Sequence, residues 1–174
     1  MSEEFDYEEF VICARYGELD DMKAMLDGYL ESHPDANKCE LASKQNAYGS
    51  TALHMAAANG HIEIMEYLIN ECNFSKKELE IKNEEGNTPL HWAALNGYLK
   101  AVQLLMKAGA AGNIKNNADK EPGYYAELKG HQDIVNYILR AIPSDVIDDT
   151  LDNNAEITQT KTKSGATKIS LKKI

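Results

Sequence analysis

The chain has 174 residues, 43% of them hydrophobic and 26% charged, which is enough apolar material for one domain with or without a tail. Its formal net charge is −10, and all of it is carried before Ser144, with 23 acidic and 13 basic residues up to that point and five of each after it. An acidic body repels phosphate and anionic headgroups, which argues against nucleic acid or a membrane as direct partner and in favour of a basic protein.

The first nine residues hold five carboxylates and lack the basic start and apolar run of a signal peptide. No later stretch approaches the ~18 apolar residues of a membrane span. Phe10 to Tyr16 reads as a short helix closed by Gly17, since glycine suits the left-handed residue past a helix end. Leu19 to Leu30 reads as a second helix, with Leu19, Met22, Met25, Leu26 and Leu30 on one face. His33-Pro34 should stop it near Ser32. Glu31 to Ala47 is a long connection that fits a lengthened helix or a protruding loop equally well.

A turn over Asn46–Ser50 leads to Thr51, placed to cap a helix that runs to Asn59 and ends at Gly60. His61 to Asn70 is expected to return, burying Ile62, Met65, Leu68 and Ile69. A second insertion, Glu71 to Lys82, carries mixed charge. Glu85-Gly86-Asn87 forms the next turn, and Thr88-Pro89 starts a helix with proline where its missing N–H costs nothing. Gly97 ends that helix, and Leu99 to Lys107 returns up to Gly109. Asn116 to Arg140 repeats the pattern with Ile134, Val135, Ile138 and Leu139 as its last apolar face and Pro143 as its stop. Ser144 to Ile174 is polar, acidic then basic, and reads as a disordered tail whose lysines are too dispersed for a nuclear import signal.

The second and third of these units are copies. STALHMAAANGHIEIMEYLI at 50–69 returns as NTPLHWAALNGYLKAVQLLM at 87–106, an offset of 37. A step of 33 from Gly97 reaches Gly130, and a step of 43 back from Gly60 reaches Gly17. Such a period means one structural unit used several times, with atypical units at the ends. The units run over about 8–45, 46–82, 83–115 and 116–143, followed by the tail at 144–174.

These residues resemble the ankyrin repeat, with its signature G-x-T-P-L-H-x-A-A-x-x-G-H. Gly86 to Gly97 matches every fixed position up to the last, which is Tyr98, and Gly49 to His61 matches except for Ala52. The resemblance implies an all-α solenoid in which each unit is a hairpin turn and two antiparallel helices, with turns and first helices lining a concave face. TALHMAAANGHIE at 51–63 and the GNT-x-LHWA-x-LNG pattern at 86–97, with the acidic first unit and the long connections, are similar to the small yeast ankyrin chaperones dedicated to a ribosomal protein; the fourth unit and the charged tail carry none of this likeness. The implied client is the basic KH-domain protein, number three, of the small subunit, held soluble by a monomer in the cytoplasm and nucleus. A general ankyrin adaptor or inhibitor of a signalling protein is the alternative.

The resemblance also sorts the residues. His54 and His91 lack a second ligand at helical spacing and would bond within and between repeat turns. His61 and His131 open return helices and read as structural, and Cys13 stands where the next copies have alanine. The three cysteines read as reduced thiols, and no cofactor or metal is implied. No phosphate loop, dinucleotide fingerprint or nucleophile elbow occurs, so an enzyme is not expected. The candidate protein-binding residues are those the family turns towards the groove: Tyr16, Tyr48, Met55, Asn59, Glu84, Glu85, Trp92, Leu95, Asn96, Tyr125 and Lys129. Trp92 and Tyr125 could bind or only pack, whereas Tyr48 sits at a turn tip with no core to fill.

Overall fold

The computed structural model describes residues 4–141 and, as backbone, the stretches Ala155–Lys161 and Thr167–Lys173. Contacts divide the chain after Ile142 into two units. The first is built from helices that the sequence punctuates at both ends. They are α1 (Tyr7–Tyr16), α2 (Leu19–Ser32), α3 (Lys38–Ala42), α4 (Ala52–Asn59) and α5 (Ile62–Glu66), with a π turn (Tyr67–Glu71) continuing α5. They continue as α6 (Lys76–Leu79), α7 (Pro89–Leu95), α8 (Leu99–Lys107), α9 (Pro122–Lys129) and α10 (Gln132–Arg140).

Four helix pairs result: α1/α2, α4/α5, α7/α8 and α9/α10. The first helices stack in the order α1, α4, α7, α9, and α5, α8 and α10 form the return row. Small side chains permit this close stacking. Ala14, Ala56, Ala57, Ala93, Ala94 and Ala126 are all fully buried, and Cys13 takes the equivalent place in α1 at 3% exposure. Burial, then the nearby Glu9, Glu18 and Asp21 carboxylates, push the Cys13 thiol up to about 11, so it packs rather than reacts.

The longer connections are filled. Asn37 caps α3, and Ser75 caps α6 in a reciprocal box with Glu78. They bury Leu41, Ala42, Phe74 and Leu79 beneath the solenoid, which neither a lengthened second helix nor a protruding loop anticipates. In the second unit the return helix widens into the π turn. Met65 and Leu68 are buried as expected, with Ile64 and Tyr67 beside them, while Ile62 and Ile69, also expected inside, are half-buried. In α2 only Met22 and Leu26 are fully buried, because a terminal helix has a neighbour on one side only. Leu139 is likewise half-buried.

In the C-terminal part after Ile142, Ala155–Lys161 pairs antiparallel with Thr167–Lys173, Ala155 opposite Lys173 and Lys161 opposite Thr167. The sequence pattern does not anticipate this ribbon. Two strands alone are marginal in water and supply no core. The rest of the expected disordered tail, and the stop at Pro143, lie outside the described residues.

Candidate binding groove

Each hairpin turn is organised by one asparagine. The Asn46 carboxamide oxygen accepts from the Tyr48 and Ser50 N–H groups, both at 3.0 Å. Asn83 does the same for Glu85 (3.1 Å) and Asn87 (2.9 Å), and Asn116 for Ala118 and Lys120 (both 3.0 Å). These turns need one left-handed residue. Gly49 (φ 69°) and Gly86 (φ 77°) supply it, and Asp119 (φ 58°) stands in for glycine in the fourth unit. Neighbouring turns are laced together: the Glu84 N–H donates to the Tyr48 carbonyl (3.3 Å), and the Asn117 N–H to that of Glu85 (3.1 Å). At the open end of the row the Glu8 carboxylate accepts from the Ala47 N–H at 2.8 Å, tying α1 to the first of these turns.

Two buried histidines fix the turns to the helices. His54 Nδ1 accepts from the Thr51 N–H (3.1 Å), and its Nε2 lies 3.0 Å from the Asn87 carbonyl of the next unit. The carbonyl only accepts and the amide only donates, so the ring is neutral with its proton on Nε2. Burial, the dominant cause, lowers its pKa from 6.5 to about 4. His91 repeats the arrangement with Thr88 (3.0 Å) and the Lys120 carbonyl (3.1 Å), and burial lowers it too. A second ladder runs at the other end of the first helices. His61 Nε2 donates to the Arg15 carbonyl (3.0 Å) and His131 Nε2 to that of Leu95 (3.3 Å). Tyr98 replaces histidine between them, and there the Asn96 amide donates to the Ala58 carbonyl instead (2.8 Å).

This frame holds open a depression of about 460 Å³ along α1, α4, α7 and the first two hairpin turns. Val11, Ile12, Met55 and Trp92 give it an apolar floor. Glu8, Glu84 and Glu85 stand at the turn side, Tyr48 projects there at 72% exposure, and Arg15 is the one cation in the lining. Among the described residues none of the ion pairs involves Glu8, Glu84 or Glu85. The Trp92 indole nitrogen is buried with no hydrogen-bond partner among the described residues.

Of the residues the sequence pattern assigns to binding, the structure brings Tyr48, Met55, Glu84, Glu85 and Trp92 into this one depression. Tyr16 lies outside its lining, 67% exposed at the end of α1, and Lys129 is exposed at the end of α9. Asn59 turns its amide back onto the Met55 carbonyl (2.8 Å). Leu95 is half-buried, with its carbonyl on the His131 ladder, and Asn96 is engaged in the same ladder through Ala58. Tyr125 is also engaged: its hydroxyl accepts from the Asn116 amide (2.8 Å) and its ring meets His91 edge-on at 6.2 Å. Glu8 and Val11 line the groove without having been singled out for it. Asp6 caps α1, so the helix starts three residues before Phe10 and puts Glu8 in its first turn. An Asp three residues ahead of a Glu was the available signal. Among the described residues no three His, Cys, Asp or Glu side chains gather where a metal could be held, and no helix is long and apolar enough to cross a membrane.

A family model described as "Ankyrin repeats (3 copies)" matches residues 10–116 and again 77–148. The chain is 41% identical over 115 residues to an ankyrin repeat-containing protein of Schizosaccharomyces pombe, covering 66% of this chain and 74% of that one. It is 35% identical over 160 residues to the ankyrin repeat-containing protein YAR1 of Saccharomyces cerevisiae, covering 87% of this chain and 76% of the relative.

Proposed function

The chain belongs to the ankyrin repeat family of protein-binding adaptors, and from that premise we propose that it is a dedicated chaperone for a newly made basic protein of the small ribosomal subunit. The client of choice is the KH-domain protein, number three. The chain covers a basic, aggregation-prone segment of it stoichiometrically until assembly, working as a monomer in the cytoplasm and nucleus. One observation supports the reading: an apolar floor bounded by carboxylates that have no cationic partner among the described residues. An apolar floor alone suits many partners. Unpaired carboxylates beside it select a partner that brings lysine or arginine, and they repel RNA that competes for the same basic segment.

The test is affinity capture from lysate, followed by titration of the purified client at rising salt. A small-subunit ribosomal protein should co-purify at equal stoichiometry, and its affinity should fall by roughly tenfold or more as screening shortens the reach of the carboxylates. Capture of one kinase or transcription factor, with no ribosomal protein, would sink the idea. The general adaptor reading draws on Val11, Ile12, Met55 and Trp92 alone, and it requires an affinity that salt leaves unchanged.

A further inference from the structure

We propose that the turn end of this groove is a subsite for a single arginine side chain, with Tyr48 and Trp92 supplying aromatic surface and Glu84 the counter-charge. The proposal rests on reading the groove as the client-binding face, and it narrows what the client must present there.

The groove is polarised. Glu8 lies in the first turn of α1 and Arg15 in its last, seven residues apart, or about 10 Å along the helix axis. Glu84 and Glu85 stand with Glu8 at the turn end. An incoming cation is therefore drawn to the turns and repelled from the Arg15 end. Glu8 is held in place by its bond from Ala47, and Glu85 by the Asn87 amide (2.9 Å), so both carboxylates are pre-set. Among the described residues Glu84 is hydrogen-bonded through its backbone only, which leaves its carboxylate for a ligand.

The aromatic surface decides between the two cations. Tyr48 is 72% exposed on a turn braced by Asn46 and Gly49, so it pays for its exposure with no packing of its own. Trp92 presents its ring to the same depression. A guanidinium is planar, stacks on aromatic faces and meets a carboxylate with two parallel N–H groups, whereas an ammonium is a strongly hydrated point charge. A site that offers aromatic faces and a carboxylate together favours arginine over lysine. A depression of about 460 Å³ has room for a side chain of that size.

The experiment uses the full chain, labelled with ¹⁵N, and three blocked pentapeptides of glycine with a central arginine, lysine or citrulline. Trp92 is the only tryptophan, so one indole resonance reports the groove. The arginine peptide should shift that resonance saturably, with the lysine peptide at least about threefold weaker and the neutral citrulline peptide giving no saturable shift. Glu84→Gln should weaken the arginine peptide about fivefold or more, and Tyr48→Ala similarly, with the remaining amide spectrum unchanged as proof of fold. Citrulline equal to arginine, lysine equal to arginine, or indifference to Glu84→Gln would each overturn the assignment. The peptides need no client and the capture experiment needs no arginine subsite. A captured ribosomal protein with a silent indole signal defeats only the subsite, and a saturable arginine signal with no ribosomal protein captured defeats only the chaperone reading.

Discussion

His54 makes the fold acid-sensitive well above the range where carboxylates titrate. Its imidazole is fully buried, neutral, and lowered from 6.5 to about 4 by desolvation. A lowered histidine favours the unfolded chain on protonation. Its stabilising contribution is complete above pH 6.5 and is lost as pH falls from 6.5 towards 4, because in that window the unfolded chain binds one proton more. The slope there is about 1.4 kcal/mol per pH unit. Between pH 7.5 and 5.0 the loss comes to about 2 kcal/mol from His54 alone. His91 adds to it with the same sign. A protonated Nδ1 would face the Thr51 N–H 3.1 Å away, so the helix cap fails while Nε2 still donates to the Asn87 carbonyl. The assay is urea unfolding at pH 7.5, 6.0 and 5.0 for the natural chain and His54→Gln. The variant should be less stable at pH 7.5, and the gap should narrow by about 2 kcal/mol at pH 5.0. A gap that is constant across the three values would refute the assignment of the proton to this site.

Further expectations follow from the turns. Gly86→Ala should cost about 2 kcal/mol or more, since a Cβ there collides with the Asn117 carboxamide and the residue is left-handed, while Gly109→Ala, left-handed but open to solvent, should cost about 1 kcal/mol; paired urea midpoints check the order. Tyr48→Ala should leave stability within about 0.5 kcal/mol and weaken the client at least tenfold, whereas Tyr125→Phe should cost about 1 kcal/mol through the Asn116 bond and leave client affinity unchanged, both read by unfolding and titration. Asn96→Ala should destabilise by about 1 kcal/mol, because it strips the Ala58 carbonyl of its partner between two histidine-bridged units.

The stacking of the units was legible in the chain because it depends on residue types with few substitutes. Glycine past a helix end, threonine at its start and alanine where helices touch have local physical reasons, and Gly17, Thr51 and Ala93 behave as those reasons require. The π turn over Tyr67–Glu71 was not legible, since it breaks the 3.6-residue period on which the expected inward face of His61–Asn70 rests. The groove was legible in part. Tyr48, Glu84 and Glu85 follow from their place on the turns, but the bonds that occupy Asn59, Asn96 and Tyr125 run to their own helix, the preceding unit and the neighbouring turn. Periodicity places a side chain on a face without saying whether its polar atoms are already taken.

Trp92 and Tyr125 bring that difference to one comparison. They hold the same register position, just after the motif histidine or its replacement. Tyr125 has its polar atom satisfied, whereas the Trp92 indole N–H is buried and orphaned. An orphaned buried donor costs about 1–3 kcal/mol in the free protein. A residue kept for packing alone gains nothing from that nitrogen, and phenylalanine would fill much of the same floor without the penalty. In Trp92→Phe the lost ring area and the removed penalty oppose each other, so the stability of the free chain should change by less than about 1 kcal/mol. Binding has no such offset. The client loses aromatic surface at the centre of the groove, and affinity should fall on the order of tenfold, about 1.4 kcal/mol. Circular dichroism follows unfolding, since the fluorophore is gone, and calorimetry follows the client. A variant that unfolds 2 kcal/mol more easily and binds the client unchanged would return Trp92 to the core and leave Tyr48 as the aromatic contact of the groove.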